Sequence, residues 1–274
     1  MMITTISFKS IIAAQRRHPT EWLWRRCLSI RSQFCEAVVA AGYLSWEQMV
    51  SAACRYRLGA SKQGGVIFWQ IDQEERVHDG KVMYYRQDCH RDKGRNPTWV
   101  SAFLRRRDPF PKSPHETSHC FFGAHLISPL NERLFRPPLT PPNSGGETAI
   151  AVMEGQGGRS PIAVVEAEKT AVILSERYPE DVWLAAGGLG EVQVDKFRPL
   201  RGHKVILFPD TDPEGIAYKR WYEAAQLVMQ QPFWEGSPPI RVSPILEQHA
   251  SPEQKARKID LVDFLLDRRT DYKT

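Results

Sequence analysis

From Thr20 to about Tyr56 apolar residues recur at helical spacing: Trp22, Leu23 and Cys27, then Phe34, Val38 and Val39. Gly42 is a break, and Ser45 is placed to cap the segment WEQMVSAACRY, so the pattern predicts two or three helices at the start of the chain. From GGVIFWQID through ERVHDGKVMYY the pattern changes to apolar and β-branched runs around turn signals. That predicts antiparallel sheet, with Asp79-Gly80 suited to a type I′ hairpin. PTWVSAFLRRR and HCFFGAHLI follow as short ordered segments, and RPPLTPPNSGGETAIAVMEGQGGRSP predicts a Pro- and Gly-rich boundary.

Beyond that boundary the texture alternates. A strand IAVVE leads to a helix from Glu168 to about Arg177, a strand VWLAA, a Gly-rich turn and a strand KVILFPD. A helix from Gly215 to about Gln230, a strand around IRVSPIL and a helix IDLVDFLLDRR follow. Strands alternating with helices predict a parallel α/β sheet with flanking helices, and strands this apolar are those covered on both faces. The expected organisation is a helical region 1–55, a basic α+β subdomain 56–136, a linker 137–160 and an α/β domain 161–268.

Composition narrows the class. With 42% hydrophobic and 25% charged residues the chain is of the globular kind, and its apolar runs are far shorter than the roughly 20 residues a membrane helix needs. The N-terminus carries its positive charges after its short apolar stretch, the reverse of a secretory signal, so the expectation is a cytoplasmic protein with no membrane partner. Five cysteines, Cys27, Cys35, Cys54, Cys89 and Cys120, include no Cys-x-x-Cys pair and suit neither a disulfide framework nor a zinc finger. His90 beside Cys89 and His119 beside Cys120 do not change this, because adjacent residues rarely both ligate one zinc; no zinc is expected. Charge is split along the chain: up to Arg136 there are 21 Lys and Arg against 12 Asp and Glu, and after it 16 against 20. A basic half beside an acidic one suits an enzyme that grips phosphates with Lys and Arg and metal with carboxylates; an unevenly charged solvated surface reads the same way.

The acids sit where a parallel sheet places ligands, outside the carboxyl ends of its strands. Glu166 ends one strand, Gly187 and Gly188 follow the next, and Asp210 and Asp212 leave a third. Mg²⁺ or Mn²⁺ asks for only one or two protein carboxylates beside waters and phosphate oxygens. Gly187 and Gly188 let backbone approach the site closely, and Gly215 lets the chain turn into the next helix. Taken singly, Asp-x-Asp is a common solvated turn or helix cap. Strand-Glu, strand-Gly-Gly and strand-Asp-x-Asp-x-x-Gly in this order resemble the Toprim domain of bacterial primases, topoisomerases and some nucleases, over about 161–268. The resemblance implies that Glu166, Asp210 and Asp212 form a catalytic metal site, and that Asp260 and Asp263 of IDLVDFLL add to it. Exposed acids at the start of an amphipathic helix need no such role.

The preceding half is similar, over about 56–127, to the subdomain that comes before Toprim in bacterial primase cores, and the whole looks closest to primase-like proteins of bacterial mobile elements. The resemblance implies synthesis of primers on a single-stranded DNA template from nucleoside triphosphates, with a replicative helicase as a further partner. Lys62, Lys81, Arg86, Arg91, Lys93, Arg95, Arg105, Arg106 and Arg107 are then candidate phosphate contacts. Trp69 and Trp99 are either base-stacking platforms or strand core. Lys169 is either a nucleotide-binding residue or an exposed helix lysine. Two features depart from the family: no N-terminal zinc module is visible in this sequence, and Thr170 stands where many primases have an acid. A metal-dependent nuclease uses the same carboxylates to orient water, and a non-catalytic nucleic-acid-binding module is the third reading.

Overall fold

The computed structural model describes residue 29 and residues 32–105, 119–128 and 160–266. The helical pattern before residue 29, Arg106, Arg107 and the linker up to residue 159 lie outside the described residues.

Helix α1 (Gln33–Ala40) buries Phe34, Cys35, Ala37 and Val38, and the chain reverses after it at Gly42, whose φ is +75°. Helix α2 (Trp46–Arg55) starts at the predicted cap. The Ser45 hydroxyl accepts from the Gln48 amide at 3.2 Å while the Gln48 side chain accepts from the Ser45 amide at 2.9 Å, satisfying two donors the first turn leaves free.

Strands β1 (Gly59–Ala60), β2 (Val66–Ile71), β3 (Val77–Met83) and β4 (Thr98–Trp99) form an antiparallel sheet in that order. Val66 and Phe68 face the main core, whereas Ile67, Trp69 and Ile71 turn to the other face with Val77 and Val100, the first residue of α3 (Val100–Arg105). The hairpin does not turn at Asp79-Gly80, which lies inside β3. It turns at 72–76, where the Asp72 carboxylate accepts from the Glu74 and Arg76 amides at 3.0 and 2.9 Å and Glu75 takes φ +65°. Gly80 has a different reason. The Trp69 indole lies across it, and a Cβ there would meet the ring at 2.7 Å.

The second sheet is parallel, with strand order β6-β5-β7-β8: β5 (Ile162–Val165), β6 (Val182–Ala185), β7 (Val205–Phe208) and β8 (Arg241–Val242). Helices α4 (Glu168–Arg177) and α5 (Ile216–Met229) follow β5 and β7. Every residue of β5 and β7 is buried, as parallel strands covered on both faces must be. The strand predicted around IRVSPIL is short because Pro244 opens helix α6 (Ile245–His249); α7 (Pro252–Arg257) and α8 (Leu261–Leu266) complete the described chain. None of the described helices is long and apolar enough to cross a membrane.

One buried cluster runs from Phe34 and Met49 through Phe68 and Phe122 to Val165, Trp183 and Val262, so the two sheets share a core. Its polar ties are specific. The buried Tyr56 hydroxyl donates to the Trp183 carbonyl at 2.7 Å, and Arg55 pairs with Glu176 at 2.9 Å and donates to the Ser175 carbonyl at 3.0 Å. Phe122 exchanges two backbone hydrogen bonds with Ala185 at 2.9 and 3.0 Å, laying the 119–128 segment along the edge of β6. These contacts fix α2 and the 119–128 segment against α4 and β6 of the parallel layer.

Candidate active site

Register decides which acids meet. Val165 lies opposite both Ala185 and Phe208, so Glu166 leaves the central strand β5 between the Gly187-Gly188 turn and the β7 exit that carries Asp210. Gly187 and Gly188 take φ +96° and +153°, and a Cβ on Gly187 would stand 3.4 Å from the Glu168 carboxylate. The turn delivers the Leu189 amide toward the Glu166 carboxylate. On the other side the Thr211 amide donates to the Ile259 carbonyl at 3.2 Å, which ties the Asp210 loop to the start of α8.

Glu166 and Asp210 leave adjacent strand ends, and the Glu166 charge acts on Asp210. Burial, and then the Glu166 charge with those of Asp260 and Asp263, holds the Asp210 carboxyl well above the usual range against the pull of Lys169. Burial also raises Glu166, helped by Asp260 and Glu168 and opposed by the Leu189 amide and Lys81. Among the described residues the Asp210 carboxylate has no hydrogen-bond or ion-pair partner.

The other acids are committed elsewhere. Asp212 caps α5: its Oδ1 accepts from the Glu214 and Ile216 amides at 3.0 and 3.1 Å and its Oδ2 from Ala217 at 2.8 Å. Burial alone would raise its carboxyl, but those three amides hold it below the ordinary value. Gly215, at φ +66°, immediately precedes the helix so capped. Asp260 and Asp263 cap α8. The Asp263 amide donates to Asp260 Oδ1 at 2.9 Å, while Asp260 Oδ2 accepts from the Thr170 hydroxyl and pairs with Lys169 Nζ, each at 2.9 Å. Lys169 Nζ is also 3.6 Å from Asp263. Lys169 is buried, and its two carboxylates hold the ammonium well above its usual pKa against desolvation. It is not an exposed helix lysine, and its ammonium is paired to Asp260.

Lys81 is the basic residue that the antiparallel sheet sends to this edge. Its Nζ lies 3.0 and 3.1 Å from the two oxygens of Glu168 and donates to the Gly187 carbonyl at 2.7 Å. Glu168 is 2% exposed; the sequence marks it only as a helix start, and no local signal shows a partner 87 residues away. The other candidate phosphate contacts are spread over the surface. Lys62, Arg91 and Lys93 are exposed, Arg86 pairs with Asp88 at 2.9 Å, and Arg95 lies over the Tyr84 ring at 4.6 Å. The Arg105 side chain, like Arg106 and Arg107, lies outside what is described. Trp69 is buried against its sheet, whereas half-buried Trp99 stacks on His119 at 4.1 Å.

Among the described residues no three His, Cys, Asp or Glu side chains group to hold a metal ion. Two carboxylates at the ends of adjacent strands, one of them without a hydrogen-bond or ion-pair partner among the described residues, are nevertheless a donor set that suits Mg²⁺ or Mn²⁺, whose remaining ligands are water and phosphate oxygens. The described cysteines are free thiols, and burial pushes those of Cys89 and Cys120 up to about 12.

A family model described as a domain of unknown function (DUF6371) matches residues 32–134 and 148–211, which takes in the antiparallel sheet, strands β5, β6 and β7 of the parallel one, and the strand ends carrying Glu166 and Asp210. No curated protein matches the chain.

Proposed function

The chain belongs to this domain-of-unknown-function family, DUF6371, and from the chemistry of its site we propose that it is a Toprim-type, metal-dependent nucleotidyltransferase that synthesises primers on single-stranded DNA. What supports the reading is the placement of Glu166 and Asp210 at the ends of adjacent parallel strands, where the Glu166 charge acts on Asp210, with Lys81 arriving from the basic half. Two carboxylates that burial raises first, and neighbouring acids raise further, are a site short of positive charge. A divalent cation bound there would neutralise phosphate oxygens and assist deprotonation of an attacking 3′ hydroxyl.

The remaining work falls to the chain. Glu166 is aimed by the Leu189 amide, and Gly187 keeps the strand exit free of side chains so that a phosphate can come close. Lys81 holds Glu168 and the Gly187 carbonyl, which fixes that turn and joins the nucleic-acid-facing sheet to the carboxylates. Exposed Lys62, Arg91, Lys93 and Arg95 supply the positive field along which a single strand is led.

The test is incubation with single-stranded DNA, Mg²⁺ or Mn²⁺ and labelled nucleoside triphosphates, with extended and shortened products resolved together. Extension lost in Asp210→Asn supports the proposal. Cleavage without extension turns it into the nuclease reading, and neither product under any metal leaves the polymerising reading without support.

A further inference from the structure

Resting on the reading of Glu166 and Asp210 as the ligands of a divalent ion, we propose that Lys169 acts as a fixed internal counter-ion in place of a second divalent cation, so that the site takes up one ion and not two. Asp212 and Asp260, two of the acids that would complete a two-ion site, are each held on both oxygens by the fold. Asp212 gives both oxygens to three backbone amides of α5, and detaching it uncaps that helix. Asp260 gives one oxygen to the Asp263 amide and the other to Thr170 and Lys169.

Lys169 stands in the first turn of α4, three residues after Glu166, and is 6% exposed. Its ammonium lies 2.9 Å from Asp260 and 3.6 Å from Asp263. Tyr43, Tyr85 and Cys89, from the elements of the first half that pack over it, lie within its electrostatic reach, so the charge is enclosed on that side by groups that are neutral near pH 7. Thr170, where an acid is expected of a primase, donates its hydroxyl to the same Asp260 oxygen. A lysine and a threonine on successive positions therefore satisfy the carboxylate that a second ion would otherwise have to satisfy. Exchanging one ammonium for a divalent ion would require this buried pair to be broken first, and removing one partner of such a pair is strongly unfavourable.

The experiment is Mn²⁺ binding followed by the loss of the free-ion electron paramagnetic resonance signal, on the full chain without nucleic acid. One Mn²⁺ per chain is expected for wild type, two for Lys169→Met, and one for Asp260→Asn, with circular dichroism confirming that each variant is folded. Lys169→Gln serves if the methionine variant does not fold, and the wild-type and Asp260→Asn arms decide without either. Two ions in wild type, or one in a folded Lys169→Met, overturns the inference while leaving the metal site standing. Loss of binding in Asp260→Asn makes Asp260 a ligand and overturns it as well. No binding to wild type at millimolar Mn²⁺, with Asp210→Asn indistinguishable, removes the metal reading and this inference with it.

Discussion

Replacing Asp212 by asparagine separates a helix cap from a metal ligand, two roles that the Asp-x-Asp spacing alone does not distinguish. The carboxylate accepts three backbone N–H groups on its two oxygens. Asparagine keeps one acceptor and presents an NH₂ in place of the other, so at least one bond is lost and a donor is turned toward a donor. A hydrogen bond to a charged acceptor contributes about 1.5–3 kcal/mol, and a negative charge at a helix N-terminus about 0.3–1 kcal/mol. The expected cost is therefore about 2–4 kcal/mol, which at roughly 2–4 °C per kcal/mol lowers the melting temperature by about 4–16 °C. The pH dependence follows from the depressed carboxyl of Asp212. Its contribution is present above the unfolded value of about 3.9 and is lost as pH falls through the lower folded value, so the gap between wild type and variant should be full near neutrality and close below about pH 4. Thermal melts across that range are the assay. An unchanged melting temperature near neutrality would refute the cap, as would a variant that keeps its stability but loses Mn²⁺ binding.

Further outcomes follow from other contacts. Lys81→Met strands the buried Glu168 carboxylate and should cost about 3–5 kcal/mol, whereas Lys81→Met with Glu168→Gln should recover part of it; strictly additive losses in urea titrations would exclude the coupling. Asp181 is raised to about 6 by burial and the Glu180 charge, against Lys204. A raised carboxyl contributes stability below its unfolded value that is lost as pH rises through the folded one, so Asp181→Asn should be neutral near pH 4 and stabilise by on the order of 1–3 kcal/mol above about pH 7, and denaturant midpoints unaffected by pH would contradict this. Affinity for single-stranded oligonucleotides should fall with salt at a log-log slope of about −0.7 per phosphate contact, and alanine at Arg105, Arg106 and Arg107 should flatten it. An unchanged slope in fluorescence anisotropy leaves those arginines without a role.

What local pattern controls was legible in the sequence. The runs IAVV, VWLA and VILF became the parallel strands β5, β6 and β7, and Ser45 became the cap of α2. What tertiary packing controls was not. Asp79-Gly80 carries a strong local turn signal, yet the Trp69 ring requires a glycine opposite it in mid-strand, and Asp72 builds the turn instead. The two acids of Asp-x-Asp look equivalent in the sequence. The structure divides them, because Asp212 accepts from the free amides of α5 while Asp210 makes no such bond among the described residues and is acted on by the Glu166 charge. Charge likewise could be counted along the chain, but its pairing could not: Lys81 and Lys169 are two basic residues among many until the fold sets one against Glu168 and the other against Asp260.

The most direct measurement is anomalous scattering from a crystal soaked in Mn²⁺. A single peak is expected within about 2.5 Å of both the Glu166 and Asp210 carboxylates, with Asp212 still capping α5 and Lys169 still paired to Asp260. A peak on Asp212 or between Asp260 and Asp263, or a soaked crystal with no peak at Glu166 and Asp210, would contradict the site on which the proposed function rests.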